Sequence, residues 1–424
     1  MSDLGAPPAG TRVVVISRSV APWHGAGGLE RHVADLLTHL LARDLRVTLV
    51  TRDAGGMDLP PEFRHAHFTL HPVPYRTFPL AGRRGTTILD RATAYPVFGY
   101  RAGRVAAALA ASKGADVVYG HGASAYGYAL AHRGQPRATP PFVFNPHGLE
   151  EFGGIDGTYG GRGAKRLAYA PLRAVVRTCA AAADRVIATD RAIAPAIERH
   201  LGVGADRIRL VPNAVDLART DGLAGGADGA RLRAEHGIGD GETLLLSVGR
   251  IEHNKGFHVL AEALAGVRDV PWRWVLVGDG SYRATVDARL RAHGLHDRVI
   301  LPGSQGDAVL HGWYEAATLF VHPTLYEGSS IVTLEAMAHR RAVLATRAGG
   351  LPDKVKPGET GWLVAPGDPG ALSSALRAAL ARPEVLRKMG LAGRALVEAE
   401  FSWATATDRL LAVFADVIGD KRAQ

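Results

Sequence analysis

Two hydrophobic patterns alternate along this chain. Short β-branched runs at 12–16, 47–50, 116–119, 142–144, 185–188 and 208–211 are interspersed with stretches whose apolar residues recur at helical spacing. The clearest such stretch is 29–42, where Val33, Leu36, Leu37, Leu40 and Leu41 share one side. Apolar strands separated by amphipathic helices predict a parallel sheet covered on both faces. The pattern then restarts, with strands expected at 243–248, 274–277, 299–301, 319–321 and 342–345. Between the two series lies a polar, Gly- and Ala-rich stretch, 221–229, which marks a domain junction. The expected fold is α/β, with two Rossmann-like, doubly wound parallel-sheet domains.

In open α/β sheets, ligands bind outside the carboxyl ends of the strands. Each strand of the second series ends in a polar or glycine-bearing turn: Gly249-Arg250, Gly278 to Gly280, Gly303-Ser304, Thr324 to Ser330, and Gly349-Gly350. Two glutamates, Glu327 and Glu335, flank the fourth turn with seven residues between them, where a buried strand gives way to a helix opening near Ser330. A helix N-terminus carries unpaired N–H groups and partial positive charge, so it accepts anions. From Ser330 to Glu335 such a helix rises roughly 7 to 8 Å, about the distance from a bound diphosphate to its ribose. Read alone, the pair is equally compatible with a loop charge and a solvated helix position. Arg250 and Lys255 follow the first strand of the second series. An Arg fork and a mobile Lys charge together suit a departing diphosphate. In the first series, Gly25-Ala-Gly-Gly28 precedes a helix and lets backbone approach a ligand. It lacks the spacing of dinucleotide-binding loops, which argues against a nicotinamide or flavin enzyme. His121 and His147 both end strands. His121 reads as structural, and His147, between Pro146 and Gly148, is the better candidate to touch sugar hydroxyls.

Composition sharpens this picture. At 424 residues the chain suits two domains. It is 47% hydrophobic and 21% charged, with no apolar run near the roughly 20 residues a membrane span requires. The opening residues show no signal-peptide pattern, and the single Cys179 cannot form an internal disulfide. A cytoplasmic protein is the expectation. The +9 net charge lies entirely in the first 217 residues, which hold 26 Lys+Arg against 17 Asp+Glu. It is densest from Arg64 to Lys113, where Arg64, Arg76, Arg83, Arg84, Arg91, Arg101, Arg104 and Lys113 face only Asp90. Such a field favours an anionic membrane surface, lipid-phosphate or acidic saccharide. No nucleic-acid recognition motif accompanies it. No Asp-x-Asp pair, Cys/His cluster, P-loop or Gly-x-Ser-x-Gly elbow occurs, so required metal, ATP hydrolysis and serine hydrolysis lose support.

Taken together, the motifs resemble the retaining GT-B glycosyltransferases of family 4. The matching pieces are Gly27 to Arg31, His147-Gly148, Val211 to Asp216, Gly249-Arg250 with Lys255, Gly278 to Gly280, Glu327 and Glu335 with Ala336-Met337-Ala338, and Gly349 to Pro352. Each is weak alone, but in this order they are specific and cover nearly the whole chain. The resemblance implies two domains facing a deep interdomain cleft. The first, 1–217, would bind the acceptor. A linker, 218–240, leads to the donor domain, 241–400, and a terminal helix, 401–424, crosses back to the first domain. It implies that Arg250 and Lys255 contact the donor diphosphate, Glu327 the transferred sugar and Glu335 the ribose, with His147 near the sugar. Glu327, Arg250, Lys255 and His147 become the candidate catalytic residues. The candidate donor site comprises Gly27, Gly28, Arg250, Lys255, Gly278, Gly303, Glu327, Gly328, Ser329, Ser330, Ile331 and Glu335. Two departures stand out. Many members have Gly-Phe-Gly-Leu after the first Glu, where this chain has Gly328-Ser-Ser-Ile331, which puts the pocket shape in question. Many have Ala-Cys-Gly where this chain has Ala338-His-Arg-Arg341, and loss of that glycine is expected to alter the helix end.

The implied reaction moves a hexosyl group from a UDP- or GDP-linked sugar to a saccharide or lipid-linked acceptor hydroxyl, in polysaccharide, glycolipid or envelope synthesis. It needs no resident cofactor and no metal. Peripheral contact with an anionic membrane at its inner face fits the basic first domain, and no nucleic acid is expected. A nucleotide-sugar epimerase, a phosphorylase or a non-catalytic sugar-nucleotide binder on the same plan are the alternatives, because fold does not fix reaction.

Overall fold

A computed structural model describes residues 5–25, 27–77, 90–154, 167–223, 227–239 and 241–423. The chain divides into two units, Met1–Pro212 with Trp403–Gln424, and Asn213–Ser402. Among the described residues the first unit holds a seven-stranded parallel sheet ordered β3-β2-β1-β4-β5-β6-β7. Its strands are β1 (Arg12–Ile16), β2 (Arg46–Arg52), β3 (Phe68–Val73), β4 (Val117–His121), β5 (Phe142–Asn145), β6 (Arg185–Ala188) and β7 (Ile208–Leu210). Val13, Val14, Val15 and Ile16 are all buried, as a strand covered on both faces requires. Strand order reverses between β1 and β4, opening a crevice at their carboxyl ends.

Three packing details shape this unit. The helix Ala94–Lys113 meets the helix Tyr126–Gly134 almost backbone to backbone. Cβ atoms at Gly103 and Gly127 would overlap the partner helix's main chain, so only glycine fits. The side chains of Val97, Tyr100, Arg101 and Arg104 on the helix Ala94–Lys113 stay exposed, at positions three and four residues apart. The C-terminal helix Trp403–Ala423 belongs to this unit. Its Asp416 and Asp420 accept from Arg185 at 2.8 and 2.7 Å, and Phe414 lies edge-on to Tyr119. Of the basic stretch, Arg83 and Arg84 fall outside the described residues, and Arg91 is paired with Glu150 at 2.9 Å. Among the described residues no helix is long and apolar enough to cross a membrane.

The second unit repeats the plan with the order β10-β9-β8-β11-β12-β13. The strands are β8 (Thr243–Val248), β9 (Trp272–Val277), β10 (Val299–Gly303), β11 (Leu319–His322), β12 (Ala342–Thr346) and β13 (Gly361–Val364), and the order reverses between β8 and β11. The expected linker at 218–240 takes a different form. Its described residues include the helices Leu217–Leu223 and Ala227–Glu235, and both sit within this unit. Leu232 is buried, and Gly229 lies so close to the helix Asp307–Ala316 that a Cβ would press on Glu315 and Ala316. Arg394 closes a bidentate pair on Asp221 at 2.6 and 2.8 Å. Gly229, in the stretch that marks the expected domain junction, therefore serves close helix packing, and the division between units falls at Pro212.

Candidate active site at the carboxyl ends of the second sheet

Glu327 is the centre of the charged cluster. Its Oε2 accepts from Lys255 Nζ at 2.8 Å and from His322 Nε2 at 2.7 Å. The Lys255 and Glu327 side chains are only 20% and 11% exposed, and His322 is fully buried. Burial alone would raise the Glu327 pKa, but the Lys255 charge and the His322 hydrogen bond outweigh it and hold the carboxyl far below its usual range. Burial lowers the His322 pKa, so a neutral ring donating through Nε2 fits this contact. Both contacts fall on Oε2, which leaves Oε1 without a partner among the described residues.

The backbone explains why Lys255 arrives there. The 3-10 turn His253–Lys255 ends at Gly256, whose φ of 67° is left-handed. A Cβ at Gly256 would overlap the Pro323 carbonyl, so the loop after β8 lies directly on the end of β11. Asn254 O accepts from Leu325 N at 2.8 Å and lies 2.9 Å from Thr324 Oγ1, which locks the two loops together. Arg250, on the same loop, is exposed. Gly278 (φ 136°) packs against the Gly249 carbonyl, and its N–H donates to Gly303 O at 2.9 Å, so the turns after β8, β9 and β10 converge.

The helix Ile331–Ala338 starts beside Glu327. Ser330 caps it, its Oγ accepting from Thr333 N at 3.3 Å. Glu335 is buried on this helix, and Tyr314 OH donates to its Oε2 at 2.8 Å. The expected change at the helix end does not occur. Arg340 takes the left-handed conformation (φ 58°) in place of glycine, Arg340 N donates to Met337 O, and Arg341 N donates to Ala336 O. This is a Schellman closure made with a residue that strains to adopt it. Arg394 Nη1 also donates to Ala338 O at 3.0 Å, satisfying a last-turn carbonyl.

Sequence reasoning missed His322, Tyr314 and Lys354. His322 stands in the apolar run of β11, Tyr314 reads as a core aromatic, and Lys354 reads as a loop cation after Pro352. Lys354 is in fact fully buried, its Nζ 3.0 Å from Ser329 Oγ. The signal for Lys354 was its place just beyond Gly349-Gly350. A Cβ at Gly349 would overlap the Glu327 carbonyl, and Gly350 N donates to Gly328 O at 3.0 Å, so that turn rests on the Glu327 loop.

Gly27, Gly28 and His147 lie in the first unit and are not brought into this cluster by the fold of the second. Ala26, within the glycine loop, is outside the described residues. The helix Gly28–Ala42 starts there with Gly27 as an N-cap that offers no side chain. His147 has a left-handed φ of 59°, held by Asn145 Oδ1 accepting from its N–H at 2.9 Å. Its Nε2 lies 3.0 Å from His121 Nδ1, with the rings stacked, and His32 stands edge-on at 5.8 Å. Burial pushes His32 down to about 4 and, with His32's help, His147 down to about 3; it also holds His121 well below its usual value. All three rings are neutral near pH 7.

Comparison with known proteins decides what this arrangement belongs to. Residues 26–219 match the family described as Glycosyltransferase Family 4, and residues 228–396 match Glycosyl transferases group 1. The D-inositol 3-phosphate glycosyltransferase of Segniliparus rotundus is 30% identical over 427 residues, covering 95% of this chain and 88% of that protein. The chain belongs to glycosyltransferase family 4. Sucrose-phosphate synthase from Thermosynechococcus elongatus shares the fold of this glycosyltransferase at a TM-score of 0.75 and 25% identity, over 97% of this chain and 100% of that one. The Anabaena HepE structure in complex with UDP-glucose shares it at a TM-score of 0.67 and 19% identity, over 97% and 99%. The fold of this family 4 enzyme is thus GT-B, built from two Rossmann-like parallel-sheet domains, and its activity is glycosyl transfer.

Proposed function

We propose that this glycosyltransferase moves a hexosyl group from a UDP- or GDP-linked sugar to an acceptor hydroxyl, with the anomeric configuration retained and no metal ion required. The observation that carries this reading is the Lys255–Glu327–His322 cluster at the start of the helix Ile331–Ala338. A cation and a helix N-terminus side by side suit a diphosphate. A carboxylate with one oxygen held and the other open suits sugar hydroxyls. The complex of Anabaena HepE with UDP-glucose supports the donor class.

In this reading the bond from the anomeric carbon to the diphosphate oxygen breaks against Arg250, Lys255 and the N–H groups near Ser330. The acceptor oxygen bonds to that carbon on the same face, and its proton passes to the departing phosphate oxygen. Stabilisation of the developing charge is electrostatic and preorganised. Glu327 Oε1 receives a sugar hydroxyl, and Glu335, oriented by Tyr314, receives the ribose. Gly278, Gly303, Gly328, Ser329, Ser330 and Ile331 supply close backbone approach to the donor, with Gly27 and Gly28 assigned the same task. The neutral His147 ring has the chemistry to bond a sugar hydroxyl, and we assign it that role.

A thermal-shift panel of UDP-, GDP- and ADP-sugars, with and without EDTA, tests the donor and the metal together. Stabilisation by one nucleotide sugar in EDTA is expected; no stabilisation by any of them refutes the reading. NMR of the product must show the donor's anomeric configuration. Epimer or sugar phosphate formed without an acceptor points instead to an epimerase or phosphorylase.

For the acceptor we propose a saccharide or lipid-linked hydroxyl of the cell envelope, with the first unit resting on the inner face of an anionic membrane. The exposed Val97, Tyr100, Arg101 and Arg104 of one helix face, in the unit that carries the positive charge, support this. Sedimentation with anionic vesicles should exceed that with neutral ones and fall with salt. Equal, salt-insensitive binding refutes it.

A further inference from the structure

The fully buried Lys354 stands where two donor-facing turns meet. It ends the helix Leu351–Lys354, which follows the turn after β12. Its Nζ donates to Ser329 Oγ at 3.0 Å, faces Gly350 O at 3.5 Å and lies 5.9 Å over the Phe401 ring. Gly350 N in turn donates to Gly328 O. Taking an ammonium out of water is costly, so its presence at a place an aliphatic side chain would fill calls for a return.

Hydrogen-bond polarity identifies that return. An ammonium has three donors and no acceptor, so Ser329 Oγ must accept from it. The Ser329 hydroxyl proton is then turned away from Lys354, and no acceptor for it is present among the described residues. The neighbouring Ser330 is engaged within the helix's first turn, its oxygen accepting from Thr333 N and lying 2.8 Å from Thr333 Oγ1. A hydroxyl that accepts from a cation is a stronger donor in its own right. It sits half-buried one residue before the cap of the helix Ile331–Ala338.

We propose that Ser329 donates its hydroxyl proton to a diphosphate oxygen of the sugar donor, and that Lys354 is the positioning residue that aims and polarises it. This rests on the reading of the Glu327–Ser330 turn as the donor site. Hydrogen bonds with a charged partner are worth about tenfold or more in affinity. Isothermal titration with UDP and GDP, the probes used, decides the matter across the wild type, Ser329→Ala, Ser329→Thr, Lys354→Met and the Ser329→Ala/Lys354→Met double variant. Measured well below the melting temperature of each variant, Ser329→Ala is expected to weaken the nucleotide the wild type prefers about tenfold. Ser329→Thr, which keeps the hydroxyl, is expected to retain affinity. Lys354→Met is expected to lose a similar factor, and the double variant no more than the larger single loss. Wild-type affinity in Ser329→Ala overturns the inference, and so do losses that multiply in the double variant. A loss seen with the nucleotide sugar but absent with UDP or GDP overturns the assignment to the diphosphate. Ser329→Ala alone decides if Lys354→Met fails to fold. If the wild type binds neither nucleotide, the donor-site reading itself fails and this inference falls with it. If the wild type binds and Ser329→Ala matches it, only the inference fails.

Discussion

Replacing Lys255 with Met separates the structural and functional shares of the central ion pair. Lys255 and Glu327 are 2.8 Å apart, and both side chains are mostly buried. At an effective dielectric near 20, two charges at that distance attract by about 6 kcal/mol, most of which offsets their desolvation. Removing one partner leaves the other charge buried, which typically costs ~3–5 kcal/mol. The residual exposure and the remaining His322 contact reduce the expected loss to about 2–3 kcal/mol. Glu327→Gln should cost less, and the Lys255→Met/Glu327→Gln double variant should return to within ~1 kcal/mol of wild type, because both charges leave together. Transfer activity should not return. Each variant should lose about a hundredfold or more in kcat/KM, the usual scale for removing a preorganised electrostatic group. Urea unfolding followed by tryptophan fluorescence suits the test, since Trp272, Trp274, Trp313 and Trp362 all lie in the second unit. The pH dependence gives an independent check. Glu327's carboxyl is held below its ordinary pKa in the fold, so the stability it contributes is complete above about pH 4.3 and drains away as pH falls below that. The gap between wild type and Lys255→Met should narrow in the same range. If the double variant is as unstable as Lys255→Met, the two groups are not coupled. If Lys255→Met keeps donor affinity, Lys255 does not bind the diphosphate.

Three further outcomes follow from the geometry. Gly256→Ala should destabilise the second unit by at least ~3 kcal/mol, since it combines a left-handed φ with overlap on the Pro323 carbonyl, and equilibrium unfolding measures it. Arg340→Gly should stabilise by about 1 kcal/mol by relieving the left-handed strain at the end of the helix Ile331–Ala338, seen as a higher melting temperature with unchanged donor binding. His121, 2% exposed and neutral in the fold, resists a proton that the unfolded chain accepts below about pH 6.5. Stability should therefore fall with pH below that point by up to ~1.4 kcal/mol per unit from this ring. His121→Gln should remove that share of the slope, as pH-dependent melting curves will show.

The strands at the centre of each sheet were legible because burial on both faces leaves an unbroken apolar run, as in Val13 to Ile16 and Leu244 to Leu246. The edges were not. β3 contains Pro72 and alternates unevenly between buried and exposed residues, and β13 opens on Gly361, required because a Cβ would overlap the Val343 carbonyl. These two edge strands escape the pattern because half their environment is solvent or loop. In the site, Lys255 and Glu327 announced themselves as charges beside buried strands. His322, Tyr314 and Lys354 did not, since each acts through a partner that the fold brings to it, Glu327 across the turn after β11, and Glu335 and Ser329 from more than 20 residues away.

The departure at Gly328-Ser-Ser-Ile331 can now be weighed against what holds that turn. Its shape depends little on the side chain at position 329. Gly349 packs on the Glu327 carbonyl, Gly350 N bonds Gly328 O, and Ser330 closes the helix through Thr333 N. These contacts use main chain or the cap alone, so they persist across a change from an aromatic to a serine. What changes is the space beneath the turn. A large apolar side chain at 329 would fill it with carbon, whereas a serine leaves room that Lys354 occupies with an ammonium. A cation there needs acceptors to receive it, and Ser329 Oγ at 3.0 Å is one, with Gly350 O at 3.5 Å. It follows that Ser329→Phe with Lys354 retained should be far worse than Ser329→Phe/Lys354→Leu. The first takes an acceptor from a buried ammonium and sets carbon against it, while the second replaces a polar pair by an apolar one. Equilibrium unfolding of the two variants should differ by about 3 kcal/mol. Equal stability would mean that positions 329 and 354 are not packed as one unit.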